Sequence, residues 1–156
     1  MIKAAVLTVS TTKTLKEDTS GEAIVEILTD KNFKIASRDL VTDSKNKIKN
    51  KLSKLSSRRD MDIVITTGGT GLGPRDLTPE ATGEVIERDT PGISELIRLE
   101  GVKFTKRAAL SRGISGIKNG TLIINLPGSP KGVRQSLEAI LELLPHAVHI
   151  MKGGGH

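Results

Sequence analysis

Gly68, Gly69, Gly71 and Gly73 fall within six residues, and a charged pair, Arg75-Asp76, comes directly after them. Glycine accepts positive φ and lets backbone N–H groups approach a ligand without side-chain obstruction. Successive exposed N–H groups make a concave anion site, reinforced when a helix begins beside it. Phosphate is the natural guest for Thr67-Gly68-Gly69-Thr70-Gly71. No Lys-Ser/Thr follows at P-loop spacing, and Gly69-x-Gly71-x-Gly73 differs from the G-x-G-x-x-G of a dinucleotide site. A tight turn between strand and helix would account for the glycines alone, but it does not call for Arg75-Asp76. A carboxylate beside a phosphate cradle is unfavourable unless a cation stands between them. Mg²⁺ fills that place with one or two carboxylates, several waters and phosphate oxygens. Asp76 suits the role. Asp43 could supply a second carboxylate, its alternative being the N-cap of a helix.

A second Gly/Pro junction, Leu126-Pro127-Gly128-Ser129-Pro130, could hold a substrate through backbone groups and the Ser129 hydroxyl, or be a turn and cap. The hydroxyls of Ser10, Thr11 and Thr12 could bind phosphate or satisfy turn backbone. Asp18 to Gly21 form the start of a helix, and Ser111-Arg112 could meet an anionic group or lie at the surface. His146 and His149, spaced i, i+3, could pair on a metal, but Pro145 adjoins them and no acidic residue is close by. No Ser/His/Asp nucleophilic arrangement is visible. The chain has no cysteine, which excludes disulfides, thiolate nucleophiles and Cys-based metal centres.

Alternating strands and helices must position these loops. Lys3 to Val9 is a buried apolar strand, and Thr19 or Ser20 caps a helix carrying Ala23, Ile24, Ile27 and Leu28. Phe33 to Val41 reads as a less apolar strand near an edge. Asp43 or Ser44 then caps a lysine-rich helix. Met61 to Thr66 is a strand running into the glycine loop, and Thr78-Pro79-Glu80 opens a helix with threonine as cap. Asp89-Thr90-Pro91-Gly92 breaks that helix before another at Ile93 to Leu99. Arg107 to Ser111 suggests a short helix and Gly113 to Ile117 a short strand. Thr121 to Leu126 is the last strand. Ser129 and Pro130 open a terminal helix carrying Val133, Leu137, Ile140, Leu141 and Leu144, which Pro145 must end or kink. The pattern predicts an α/β fold, a three-layer sandwich with a largely parallel central sheet flanked by helices. Ligands of such sheets gather beyond the carboxyl ends of the strands, which places both Gly/Pro loops on one edge.

With 156 residues the chain suits a single domain, 1–152, and a flexible tail, 153–156. No stretch reaches the ~20 apolar residues of a membrane span, and no targeting segment is visible, so a cytoplasmic location is expected. The net charge of +6 raises the question of nucleic acid. Much of it lies between Lys45 and Arg59, where Ile48, Leu52 and Leu55 recur at i, i+4, i+7. That is the buried stripe of an amphipathic helix whose lysines form its wet face. Phe33 and Phe104 are the only aromatic residues, too few for a base-stacking platform. No nucleic-acid partner is expected, although positive charge can attract small phosphorylated substrates.

Val64-Ile65-Thr66-Thr67-Gly68-Gly69-Thr70-Gly71, followed by Arg75-Asp76-Leu77-Thr78-Pro79-Glu80-Ala81, resembles the signature of the MoaB/Mog family of molybdenum-cofactor biosynthesis proteins. Related domains of gephyrin and plant molybdopterin adenylyltransferases carry the same pattern. Ile124 to Pro130 is similar to the family's second loop, and Val9-Ser10 with Asp18-Thr19-Ser20-Gly21 to its N-terminal segment. The resemblance implies Mg²⁺-dependent transfer of AMP from ATP to molybdopterin, releasing pyrophosphate. It makes Asp43 and Asp76 the catalytic and metal-binding acids. It assigns Ser10, Thr67, Gly68, Gly69, Thr70, Gly71, Arg75, Pro127, Gly128 and Ser129 to nucleotide or pterin phosphate. Asp18, Ser20, Gly21, Ser111 and Arg112 are further substrate-binding candidates. Some MoaB members lack the Arg-Asp pair and are doubted as enzymes, whereas this chain has it. The alternative is a molybdopterin-binding protein of the same pathway without catalysis. The resemblance also implies a homo-oligomer, a trimer or hexamer.

Overall fold

Alternation along the central strands sorts their side chains into two separate cores. The structure, a computed structural model, describes residues 1–156. It contains β1 (Lys3–Val9), α1 (Thr19–Asp30), β2 (Lys34–Val41), α2 (Lys45–Ser56), β3 (Ile63–Thr67), α3 (Thr78–Val85), β4 (Arg88–Asp89), α4 (Pro91–Gly101), β5 (Ser115–Lys118), β6 (Thr121–Leu126), α5 (Pro130–Ile140) and α6 (Leu143–Met151). Short 3₁₀ turns lie at Leu15–Glu17 and Lys106–Leu110. Ala4, Val6, Ile63, Ile65, Leu122 and Ile124 point to one face, where α1, α4, α5 and α6 cover them. Ala5, Leu7, Val9, Val64 and Ile123 point to the other, under α2 and α3. Both faces being covered explains why β1, β3 and β6 are nearly continuous apolar runs.

The sheet order is β2-β1-β3-β6-β5-β4. The first four strands are parallel, with Ala4 beside Ile63 and Ile63 beside Leu122. At the far side β5 runs antiparallel to β6, and the two-residue β4 antiparallel to β5. The expected three-layer α/β sandwich is therefore present, with β2 at an edge. The lysine-rich α2 buries Ile48, Leu52 and Leu55. Lys45 and Lys49 reach Glu84, and Lys51 reaches Asp39, so three of its lysines are paired. No helix is long and apolar enough to cross a membrane.

Several helix ends differ from the sequence expectation. Asp18, not Thr19 or Ser20, caps α1 by accepting from the Gly21 N–H. Ser44, one of the two caps expected for α2, is the one that serves, which leaves Asp43 without that duty. Thr78 lies inside α3, behind Leu77 at the cap, and its hydroxyl donates instead to the Gly68 carbonyl at 2.9 Å. The terminal helix is two helices. α5 stops at Ile140, and Pro145 sits in the first turn of α6, where a missing N–H costs nothing. Gly153 and Gly154 donate to the carbonyls of Ile150 and His149, so this part of the tail caps α6.

Candidate functional site

Four loops leave the carboxyl ends of β2, β1, β3 and β6 side by side, as a parallel sheet requires. The glycine loop after β3 and the Pro127 loop after β6 are built into each other. The Thr67 hydroxyl donates to the Pro127 carbonyl at 2.6 Å, and the Gly68 N–H donates to the Leu126 carbonyl at 3.3 Å. Gly68 has φ +97°, and a Cβ there would strike the Val9 carbonyl oxygen. Gly69, with φ +68°, leaves room for the Thr78 hydroxyl in the same way. A Cβ on Gly128 would lie 3.4 Å from the Gly68 Cα, so the loops stand back to back. From the other side the Ser20 hydroxyl donates to the Gly128 carbonyl at 2.7 Å. Ser129 accepts from the Gly132 N–H at 3.0 Å and caps α5.

The Asp76 carboxylate folds back into the loop. Its Oδ2 accepts from the Gly73 N–H at 2.9 Å, and a Cβ on Gly71 or Gly73 would come within 2.8 Å of that oxygen. Arg75 is exposed. Arg112 grips the loop through four groups. Its N–H donates to the Thr70 carbonyl at 2.8 Å, its Nε to the Gly71 carbonyl at 2.8 Å and its Nη2 to the Asp76 carbonyl at 2.6 Å. The guanidinium also forks onto Glu80, at 2.8 and 2.9 Å. That bond holds the Glu80 carboxyl below the usual glutamate range and raises the Arg112 guanidinium. Arg112 is thus a strut of the loop, where an anion ligand was one of the expected roles.

A cavity of about 530 Å³ opens in front of both loops. Its wall takes Gly69, Thr70, Gly71 and Asp76 from the first loop and Pro127, Gly128 and Ser129 from the second. α4 adds Ile97 and Arg98, the turn after it Thr105, Arg107, Leu110 and Ser111, and α5 Gln135 and Ser136. Of the expected residues, eight therefore line one cavity: Gly69, Thr70, Gly71, Asp76, Pro127, Gly128, Ser129 and Ser111. Arg98, Arg107, Thr105, Gln135 and Ser136 were not anticipated. Ser136 had a readable signal, since it interrupts the apolar face of α5 between Val133 and Leu137. Arg107 lies on the 3₁₀ turn Lys106–Leu110, close to the short helix expected at Arg107 to Ser111, but no local signal marked it as a cavity residue.

The remaining candidates lie elsewhere. Asp18 is buried and accepts from Thr8 Oγ1 at 2.6 Å and Gly21 N–H at 2.9 Å, with Arg38 3.4 Å away. It and Gly21 are packed against each other as the cap of α1, and Ser20 is a brace for the second loop. Ser10 accepts from the N–H groups of Thr12 and Lys13, closing its own turn. Asp43 shares the sheet edge, but its carboxylate takes the Thr11 hydroxyl and it does not border the cavity. β1 stands between its strand and that of the glycine loop. His146 and His149 join no set of three or more metal-capable side chains. Asp76, with Oδ1 free of protein partners, fits the single-carboxylate contribution that Mg²⁺ needs beside phosphate oxygens.

Residues 5–146 match the family described as "Probable molybdopterin binding domain". The chain belongs to that family. The crystal structure of the molybdopterin biosynthesis enzyme MoaB of Thermus thermophilus superposes with a TM-score of 0.90 at 48% identity, covering 98% of each chain. The molybdopterin adenylyltransferase of Helicobacter pylori strain 26695 is 41% identical over 143 residues, 90% of this chain and 81% of that protein. The molybdenum cofactor synthesis protein cinnamon of Drosophila melanogaster is 44% identical over 154 residues, and this chain spans 26% of its length. The MoaB/Mog resemblance of the two loops thus extends over the whole domain.

Proposed function

We propose that this chain is a molybdopterin adenylyltransferase of molybdenum-cofactor biosynthesis. The observation that carries the reading is the placement of the Asp76 carboxylate in a cavity wall made jointly by the two Gly/Pro loops. The name and 41% identity of the Helicobacter relative support it. The terminal phosphate oxygen of molybdopterin attacks the α-phosphorus of ATP. The bond to the β-phosphate oxygen breaks, and pyrophosphate leaves. No proton has to leave carbon or nitrogen, so orientation and charge neutralisation carry the rate.

Asp76 would hold Mg²⁺, which supplies charge neutralisation and a template for the phosphates. The Gly69–Gly71 backbone and the Pro127–Ser129 loop orient the phosphoryl groups. Arg98 and Arg107 are the cations of the wall and add positive potential for a polyphosphate. Neither phenylalanine borders the cavity, so the adenine would rest on backbone and aliphatic groups such as Ile97 and Leu110. The protein acts in the cytoplasm, on ATP and molybdopterin, as a trimer or hexamer. Exposed Leu99, Val102, Phe104 and Leu110, all within one stretch, support self-association.

One observation favours the alternative, a binding protein without catalysis: Asp43 stands outside the cavity wall. Purified protein incubated with ATP, Mg²⁺ and molybdopterin separates the two. Pyrophosphate release that is lost in Asp76→Ala supports the transferase. Tight molybdopterin binding with no release supports the alternative.

A further inference from the structure

We propose that Arg112 is a positioning residue, which bends the glycine loop so that the Asp76 carboxylate reaches the cavity wall. Its kinetic consequence rests on the adenylyl-transfer reading. Arg112 itself does not border the cavity, and each of its four nitrogen atoms is already committed to the segment Thr70–Glu80. The grip is on both arms of the loop. Thr70 and Gly71 are held where the chain goes out, Asp76 and Glu80 where it returns.

Asp76 is therefore held twice, its carbonyl by Arg112 and its carboxylate by the Gly73 N–H. The glycines at 71 and 73 let that carboxylate lie in the hollow of the loop, because a Cβ at either would be only 2.8 Å away. The support continues backwards. Arg98 Nη1 donates to the carbonyls of Ser111 at 3.3 Å and Gly113 at 2.8 Å, pinning the backbone on both sides of Arg112 to α4. A lysine cannot replace this fork. One ammonium lacks the planar geometry that serves two carbonyls and a carboxylate together.

Arg112→Lys, Arg112→Gln, Glu80→Gln and the Arg112→Gln/Glu80→Gln double variant test the assignment in the full-length chain. The first readout is amide hydrogen exchange without ligands. The Gly73 and Asp76 amides are expected to exchange roughly tenfold faster in both Arg112 variants, with the β3 and β6 amides unchanged. The second is steady-state AMP transfer. The Arg112 variants are expected to lose about 10–100-fold in kcat, while KM for ATP moves less than about threefold and the Mg²⁺ requirement rises. Glu80→Gln, the variant safest for folding, is expected to be intermediate in both. The double variant is expected to fall no further than Arg112→Gln, since both residues act through one contact. Unchanged exchange at Gly73 and Asp76 would overturn the proposal. So would an intact kcat with KM raised about tenfold, which would make Arg112 a direct substrate ligand. A wild-type protein that releases no pyrophosphate refutes the transferase reading, and the exchange data still decide the clamp.

Discussion

Asp76 and Asp43 carry the same group in different company, and that difference sets what each substitution should do. Asp76 borders the cavity with one oxygen on the Gly73 N–H, whereas Asp43 is bound to Thr11 outside it. Asp76→Asn is expected to lower kcat by about 10²-fold or more, the size seen when a preorganised charge-stabilising group is lost. Asp43→Asn is expected to cost less, and pyrophosphate release by the two variants side by side checks the order. Equal losses would argue that Asp43 shares the role proposed for Asp76. Glu80 gives a pH prediction. Its carboxyl is held below its usual range by the hydrogen bond from Arg112, so its contribution is present above the ordinary glutamate value. It disappears as pH falls through the lowered one. Urea unfolding of wild type and Glu80→Gln should therefore differ by a constant margin from neutral pH downward, and the margin should close only in the acid range. The pair is about two-fifths exposed, so the margin is expected to be modest.

Strands place the loops, and the loops then lock one another. Gly68→Ala would need a left-handed φ at a non-glycine residue and would drive a methyl into the Val9 carbonyl. A loss of about 1–3 kcal/mol in stability is expected, read from denaturant midpoints. A loss of activity beyond that loss of stability is expected, because the same atoms shape the cavity wall proposed to hold phosphate. The elements themselves were largely legible. Apolar runs marked β1, β3 and β6, and the 3.6-residue stripe of Ile48, Leu52 and Leu55 marked α2. Asp76 and the second loop could be read because glycine, proline and acid stand in a fixed local order. Other features depend on distant partners and leave no local trace. The Arg112 strut joins residues 41 and 32 positions apart in the chain, and Asp43 owes its place outside the cavity to an intervening strand. Where two cap candidates adjoin, local sequence does not choose between them: the expected cap of α1 falls one residue late, at Thr19 for Asp18, and α2 is left with Asp43 or Ser44, of which Ser44 serves. Either side chain can fold back, and only the backbone angle chooses.

At the scale of the whole molecule, charge and apolar surface point to different partners. The lysines of α2 are partly neutralised by Glu84 and Asp39, whereas Arg98 and Arg107 face the cavity. Leu99 and Phe104 are 62% and 60% exposed, more than isolated surface residues need explain. Light scattering is expected to give three or six times the 16.7 kDa of one chain, and Phe104→Asp should lower that mass. Gly68 and Gly128 stand backbone against backbone, a Cβ on Gly128 lying only 3.4 Å from the Gly68 Cα. On the transferase reading, a substrate that shifts one loop is expected to alter the affinity of its neighbour. Thermodynamic reciprocity then sets the check: whatever factor a non-hydrolysable ATP analogue applies to molybdopterin affinity, molybdopterin is expected to apply to the analogue, as titration calorimetry in both orders would show.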